Sequence, residues 1–218
     1  MEVYNSEEEQ LDAMKKWWTE NGRSIIAGIV VGLIAIFGWK IWTNHSLTKA
    51  QEASHLFQQL LVANKDKQTD SIITIAGELQ EKYPSTIYGA YANLFKAKAL
   101  VISKDLDGAK VALNTAIGTS TDLNIKHIAR IRLGRIMLAS GEIEQSLQLL
   151  ETVDIPTTGK FSGLYQELKG DLYMKLTRED DARSAYQQAL MSGGGNPAVL
   201  QVKLDQVTVP LPELTNTK

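Results

Sequence analysis

Cysteine is absent from this 218-residue chain, so it has no disulfide framework; that suits an oxidising compartment without requiring one. Histidine is scarce too. His45, His55 and His127 are the only three, and none pairs with another at the H-x-x-x-H spacing that binds zinc. No G-x-S-x-G elbow exposes a serine nucleophile. The triglycine Gly193, Gly194 and Gly195 runs into Asn196-Pro197 rather than Lys and Ser/Thr, so it reads as a linker and not as a phosphate loop. Strand-like alternation of Val, Ile and Thr is sparse. Charge of one sign is missing as well: 23 Lys and Arg face 25 Asp and Glu, with nineteen of each beyond Trp42. Such a balance gives no field to draw nucleic acid. These absences leave no catalytic, metal or cofactor assignment, and the expectation is a protein that is not an enzyme.

Only one long apolar run is present. From Ser24 to Trp42 the chain is apolar apart from polar Ser24 and one charge, Lys40, and Trp17, Trp18, Trp39 and Trp42 bracket the run. Nineteen helical positions rise about 28 Å, close to the ~30 Å hydrocarbon core of a bilayer. Lys40 lies where its stem can reach the headgroups, and the tryptophans mark both interfaces. A cleaved signal peptide is the competing reading. Against it stand an acidic leading segment with Glu2, Glu7, Glu8, Glu9, Asp12 and Glu20, and the absence of an A-x-A-like site near Trp39-Lys40-Ile41-Trp42. A buried soluble helix is a third reading, disfavoured by tryptophans at both ends. Lys15, Lys16 and Arg23 before the run slightly outweigh Lys40 and Lys49 after it. The expectation is therefore a cytoplasmic N-terminus and a periplasmic C-terminal domain. Within the run, Gly28 and Gly32 form a G-x-x-x-G pair with Ala35 one turn on. Helix packing at Gly28 and Gly32, by self-association or by docking on a membrane complex, competes with the general abundance of glycine in membrane helices.

Beyond the run the apolar residues recur at helical spacing, and the expected fold class is all-α. The pattern repeats. Gly134 and Met137 precede Ser146, Leu150 and Val153; Gly170 and Tyr173 precede Ala182, Tyr186 and Ala189; Ala97 and Leu100 precede Ala109, Leu113 and Ala116. A degenerate first copy holds Leu60, Ala63, Ile72, Ala76 and Leu79, closed by Pro84. The anchors 60, 97, 134 and 170 lie 36 to 37 residues apart, a slightly lengthened tetratricopeptide period. Small residues at the anchor and early in the second helix let paired helices approach, and a larger one fills the space that remains. The tryptophan often found early in the first helix is missing: Asn93, Arg130 and Gln166 stand there. The reading is a single N-terminal transmembrane helix followed by a tetratricopeptide-like α-solenoid, with an irregular helical bundle as the alternative. Asn196 and Pro197 should open a last helix whose Val199, Val202 and Val207 cap the stack. The expected boundaries are 1–23 cytoplasmic, 24–42 transmembrane, 43–209 repeat domain and 210–218 a loose tail.

Repeat geometry points Tyr91, Leu94, Lys98, Ile128, Ile131, Arg135, Glu167 and Asp171 toward the inner curve, where a peptide or partner domain would sit. Lys126, His127, Arg130, Arg132 and Arg135 crowd one helix, either as a solvated face or as a dock for a carboxylate-bearing partner. Ahead of the membrane run, Leu11, Met14, Trp17 and Trp18 make a short amphipathic helix, after which Asn21-Gly22 should turn the chain into the bilayer.

Three segments carry a family likeness: K-K-W-W-T-E-N-G from Lys15 to Gly22, G-W-K-I-W from Gly38 to Trp42, and A-R-S-A-Y from Ala182 to Tyr186. In their order and extent the chain resembles the YfgM family of ancillary subunits of the bacterial Sec translocon. The resemblance implies an inner-membrane protein beside SecYEG whose periplasmic repeats bind chaperones, including PpiD, during protein export. It also implies a cytoplasmic segment that restrains the Rcs response regulator. It supplies no residue-level functional motif. A scaffold for another envelope complex is the alternative function, and an anchored hydrolase is the remaining one.

Overall fold

The computed structural model of the chain describes residues 7–207, so the tail expected from 210 to 218 lies outside the described residues. Among the described residues there are nine α-helices and no strand. They are α1 (Glu7–Lys65), α2 (Thr69–Lys82), α3 (Ile87–Ile102), α4 (Leu106–Thr119), α5 (Leu123–Ala139), α6 (Ile143–Glu151), α7 (Ser162–Lys175), α8 (Glu179–Met191) and α9 (Pro197–Gln206). A 3₁₀ segment, Ile155–Phe161, joins α6 to α7. The chain forms two compact units, Met1–Gln51 and Glu52–Lys218.

In the first unit the apolar window of α1 is long enough to cross a membrane, and none of it is buried within the molecule. Ile29, Ile34, Phe37 and Trp39 are each more than half exposed. A soluble core helix would hide such side chains, so the stretch has the character of a transmembrane helix. The turn expected at Asn21-Gly22 is not formed, because α1 runs through it. The Asn21 amide donates to the Trp17 carbonyl at 3.1 Å, and the Trp18 ring lies 3.2 Å from where a Gly22 Cβ would be. Both contacts hold the glycine inside the helix.

The second unit is a stack of helical hairpins. Residues 52–65 of α1 pair with α2, α3 with α4, α5 with α6, and α7 with α8, while α9 stands alone at the end. From α2 onward each helix contacts the next, and α3 meets α5 as α5 meets α7. One turn geometry is repeated. Lys67, Lys104, Gly141 and Thr177, spaced like the anchors, all have positive φ between 55° and 79°. The next amide in each turn reaches back five residues: Gln68 to Ala63 (2.9 Å), Asp105 to Leu100 (2.9 Å), Glu142 to Met137 (2.8 Å) and Arg178 to Tyr173 (2.9 Å). These are Schellman closures. The sequence signals this at Gly141 alone; Thr177, β-branched and left-handed, is the most strained member.

Of the helices that follow these turns only α4 has a side-chain cap, while α2, α6 and α8 start without one; α5 and α9 are capped as well. Asp105 accepts from the Gly108 amide at 2.8 Å, Asp122 from Asn124 at 2.7 Å, and Asn196 from Ala198 at 2.9 Å.

The anchors sit in the core with complementary sizes. Gly134 accommodates Leu168, whose Cδ2 would lie 2.7 Å from an added Cβ. Gly170 faces the Tyr186 ring so closely that any Cβ there would collide with it. In these hairpins small residues (Gly134 with Ser146, Gly170 with Ala182) are matched by large Leu150 and Tyr186. The first hairpin inverts the arrangement: Leu60 and Ile72 are large and Ala76 is small, all buried. Two large residues thus stand where the other hairpins have small ones, and a small one stands where they have a large one. That exchange is why the first copy looks degenerate.

The capping helix is present, but with a different face inward. Leu200 and Val207 are buried against Ala182, Tyr186 and Ala189, with Leu204 packed beside them. Val199 and Val202 are 47% and 57% exposed. The stripe Leu200, Leu204, Val207 follows i, i+4, i+7 and offers larger side chains than the expected valine stripe, so it takes the core.

Candidate functional site

Two adjoining clefts lie along α3 and α5, on the face expected to be the inner one. Tyr91, Leu94, Phe95, Lys98, Ile128 and Arg132 surround a cleft of about 250 Å³. A second cleft of about 300 Å³ adjoins it, walled by Ala97, Val101, Ile102 and Ile136 with Lys98, Arg132 and Arg135 at its edge. Lys98 and Arg132 line both. The Lys98 ammonium donates to Asn64 Oδ1 at 3.0 Å, and Arg132 Nη1 reaches the Leu94 carbonyl at 3.4 Å. Burial and the neighbouring Arg135 charge push the Arg132 guanidinium below its usual range.

Of the residues expected on this face, Tyr91, Lys98, Ile128 and Arg135 come together here, while Leu94, 4% exposed, belongs to the core and only floors the first cleft. Ile131 does not reach the surface; it is 3% exposed and packs with Ile155, Phe161 and Tyr165. Short α6 ends at Glu151, and the 3₁₀ segment that follows folds its apolar residues beneath Ile131. Glu167 and Asp171 lie at the other end of the face, engaged from within. Lys203 of α9 donates to Glu167 Oε1 and Asp171 Oδ2, each at 2.9 Å, and Tyr186 donates to Asp171 Oδ1 at 2.8 Å. Burial pulls the Lys203 pKa down, but the two carboxylates outweigh it and hold the ammonium above its ordinary value. Burial, reinforced by Asp171, pushes the Tyr186 phenol up. Arg135 Nη2 approaches Glu167 Oε2 at 3.7 Å, a loose contact between the basic and acidic ends.

The five basic residues of α5 do not act as one patch. His127 turns to α7, its Nδ1 3.0 Å from the Tyr165 hydroxyl and its ring 5.1 Å from that of Phe161. Burial, with Arg130 beside it, lowers its pKa. Arg132 and Arg135 face the clefts. Arg132 and Phe95, absent from the expected groove, stand two residues before the anchors Gly134 and Ala97; that shared offset was the available signal. Among the described residues no cluster of His, Cys, Asp and Glu could hold a metal ion.

Gly28 and Gly32 lie on the first unit, and nothing stands within 4 Å of a Cβ built at either.

Residues 15–209 match the family described as a tetratricopeptide repeat-like domain. The ancillary SecYEG translocon subunit of Escherichia coli (strain K12) is 27% identical over 212 residues, 96% of this chain and 100% of that protein. The subunit of Aggregatibacter actinomycetemcomitans is 30% identical over 207 residues, covering 94% and 100%. That of Neisseria gonorrhoeae is 26% identical over 211 residues, covering 95% and 100%. An all-helical repeat stack on the same chain as an unburied apolar helix, matched along the full length of these relatives, places the protein: it belongs to the tetratricopeptide repeat-like family of ancillary SecYEG translocon subunits, the YfgM family.

Proposed function

We infer that the chain is a membrane-anchored, non-enzymatic adaptor that associates with the SecYEG translocon and holds other polypeptides on the inner face of its repeats. The observation that carries this reading is the pair of apolar clefts edged by Lys98, Arg132 and Arg135 on a chain that also bears an unburied apolar helix. Apolar walls supply affinity for a polypeptide and the cations supply selectivity. Residues 24–42 span the inner membrane, 1–23 face the cytoplasm, and 43–209 form the periplasmic domain. Anchoring raises the effective concentration near the export channel toward the millimolar range, so weak contacts suffice. Periplasmic chaperones such as PpiD are the partners the family resemblance supports on the outer side. The Rcs response regulator is the one it supports on the cytoplasmic side. Gly28 and Gly32 offer a close-approach face for a neighbouring membrane helix.

Photo-crosslinking in living cells tests the reading. Probes at Tyr91, Ile128 and Arg135 should capture periplasmic proteins, whereas a probe at Val111 on α4, 66% exposed, should not. Equal capture from both positions removes the inner-face reading. Probes at Gly28 and Gly32 should yield translocon adducts; self-adducts alone would replace docking by homodimerisation. Protease shaving that finds the repeat domain inside the cell would overturn the orientation.

A further inference from the structure

Two clefts that share their cations impose an order on whatever lies across them. The first is walled by Tyr91, Leu94 and Ile128, and the second by Val101, Ile102 and Ile136, with Lys98 and Arg132 common to both. Along the inner face the surface is therefore apolar, then cationic, then apolar. Among the described residues neither Lys98 nor Arg132 meets a carboxylate: Lys98 bonds the neutral Asn64 amide and Arg132 a backbone carbonyl. Among the described residues Arg135 has only the 3.7 Å contact with Glu167, whose other oxygen is taken by Lys203. Arg132 and Arg135 stand three residues apart on α5, where like charges repel; burial first, and the Arg135 charge second, lower the Arg132 pKa. Acidic charge brought to this point relieves that repulsion, whereas a basic or neutral group does not.

An extended chain supplies the matching order. Its side chains alternate, so residues i, i+2 and i+4 line one face at roughly 6.6 Å intervals. A helix would separate like-facing residues by three or four positions and needs a wider groove. Val101 and Ile102 are 40% and 61% exposed, leaving the second cleft open for an aliphatic side chain.

We propose that the α3–α5 face binds an extended polypeptide segment in which an Asp or Glu is flanked at i−2 and i+2 by aliphatic residues, the carboxylate meeting Lys98, Arg132 and Arg135 while the aliphatic side chains fill the two clefts. This rests on the adaptor reading and names the partner chemistry of its groove. It distinguishes bound segments by the register of a charge, not by overall hydrophobicity.

The test uses the full chain in neutral phosphatidylcholine nanodiscs and fluorescein-labelled, end-blocked peptides read by anisotropy. One peptide carries Leu, Glu and Leu at alternate positions; a second replaces Glu by Gln; a third moves Glu by one residue onto the opposite face. The first should bind at least about tenfold more tightly than the other two, the scale of a charge-assisted hydrogen bond, and its advantage should shrink as salt rises. Arg132→Gln combined with Arg135→Gln should erase the difference between the Glu and Gln peptides while thermal melting stays unchanged. Ile102→Asp should weaken all three. Equal affinity for the Glu and Gln peptides, or for the shifted peptide, overturns the proposal. So does capture of phosphatidylglycerol vesicles, or of a second copy of the chain, through this face in place of peptide. Each overturning result leaves the adaptor reading standing, because that reading is decided separately by crosslinking in cells.

Discussion

The two ends of the inner face are built from the same repeat positions and end in opposite states. Lys98, Arg135 and Asp171 each follow an anchor residue directly, and Leu94, Ile131 and Glu167 each precede one by three. At the α3–α5 end the cations look onto apolar clefts without a full carboxylate partner. At the α7 end, Glu167 and Asp171 are held by Lys203 from α9 and by Tyr186. The repeat decides where a side chain points. A residue from outside that repeat decides whether it remains free to act.

The comparison can be broken most forcefully at Gly170, whose missing Cβ lets the Tyr186 ring come near enough to bond Asp171. Gly170→Val should lower stability by about 3 kcal/mol in urea unfolding, through overpacking. A loss below about 1 kcal/mol would mean that the closed end tolerates rearrangement. Next in size is Lys203→Met, which strands two largely buried carboxylates and should cost about 1–2 kcal/mol, because the pair keeps some solvent contact. Its second readout is acidic-end availability: cationic peptides should bind the variant and not the wild type.

His127 tests the boundary between the ends by pH. Its folded pKa lies below the ordinary 6.5, with burial the larger cause and Arg130 the smaller. The unfolded chain therefore binds the proton more readily, so the stabilisation is complete above pH 6.5 and declines as pH falls from there through the folded value. The slope attributable to one proton cannot exceed about 1.36 kcal/mol per pH unit. In the His127→Gln variant that part of the slope between pH 7 and 5 should vanish; an unchanged slope would assign it to other groups. Smallest on stability is Arg132→Gln. Removing one of two repelling cations from a cleft edge should leave the melting curve within about 0.5 kcal/mol of wild type while weakening capture of acidic peptides. A large stability loss there would show that Arg132 braces the fold through its bond to Leu94.

Much of this architecture was legible without coordinates. The anchors at 60, 97, 134 and 170, the cap at Asn196 and the left-handed Gly141 are short-range signals, each set by sterics within a few residues. The groove was legible only in outline. Tyr91, Lys98, Ile128 and Arg135 line the clefts along α3 and α5, but Leu94 is taken into the core and Ile131 is claimed by the 3₁₀ segment behind the shortened α6. Asn21-Gly22 carries a turn signal that the Trp18 ring and the Asn21 side chain override. Val199 and Val202 made a plausible stripe, yet a leucine stripe on the same helix buries more apolar area and takes the inner face.

The order of residues alone determined an apolar helix able to span a bilayer and a series of helical hairpins with a period near 37. Both depend on hydrophobic periodicity and on backbone preferences that act locally. Only the tertiary structure decided that Lys203 would neutralise Glu167 and Asp171, 36 and 32 residues away, and that Lys98 and Arg132 would meet between two clefts. Charges at such separations compete for partners across packed helices, and that competition is settled by distances that folding alone creates.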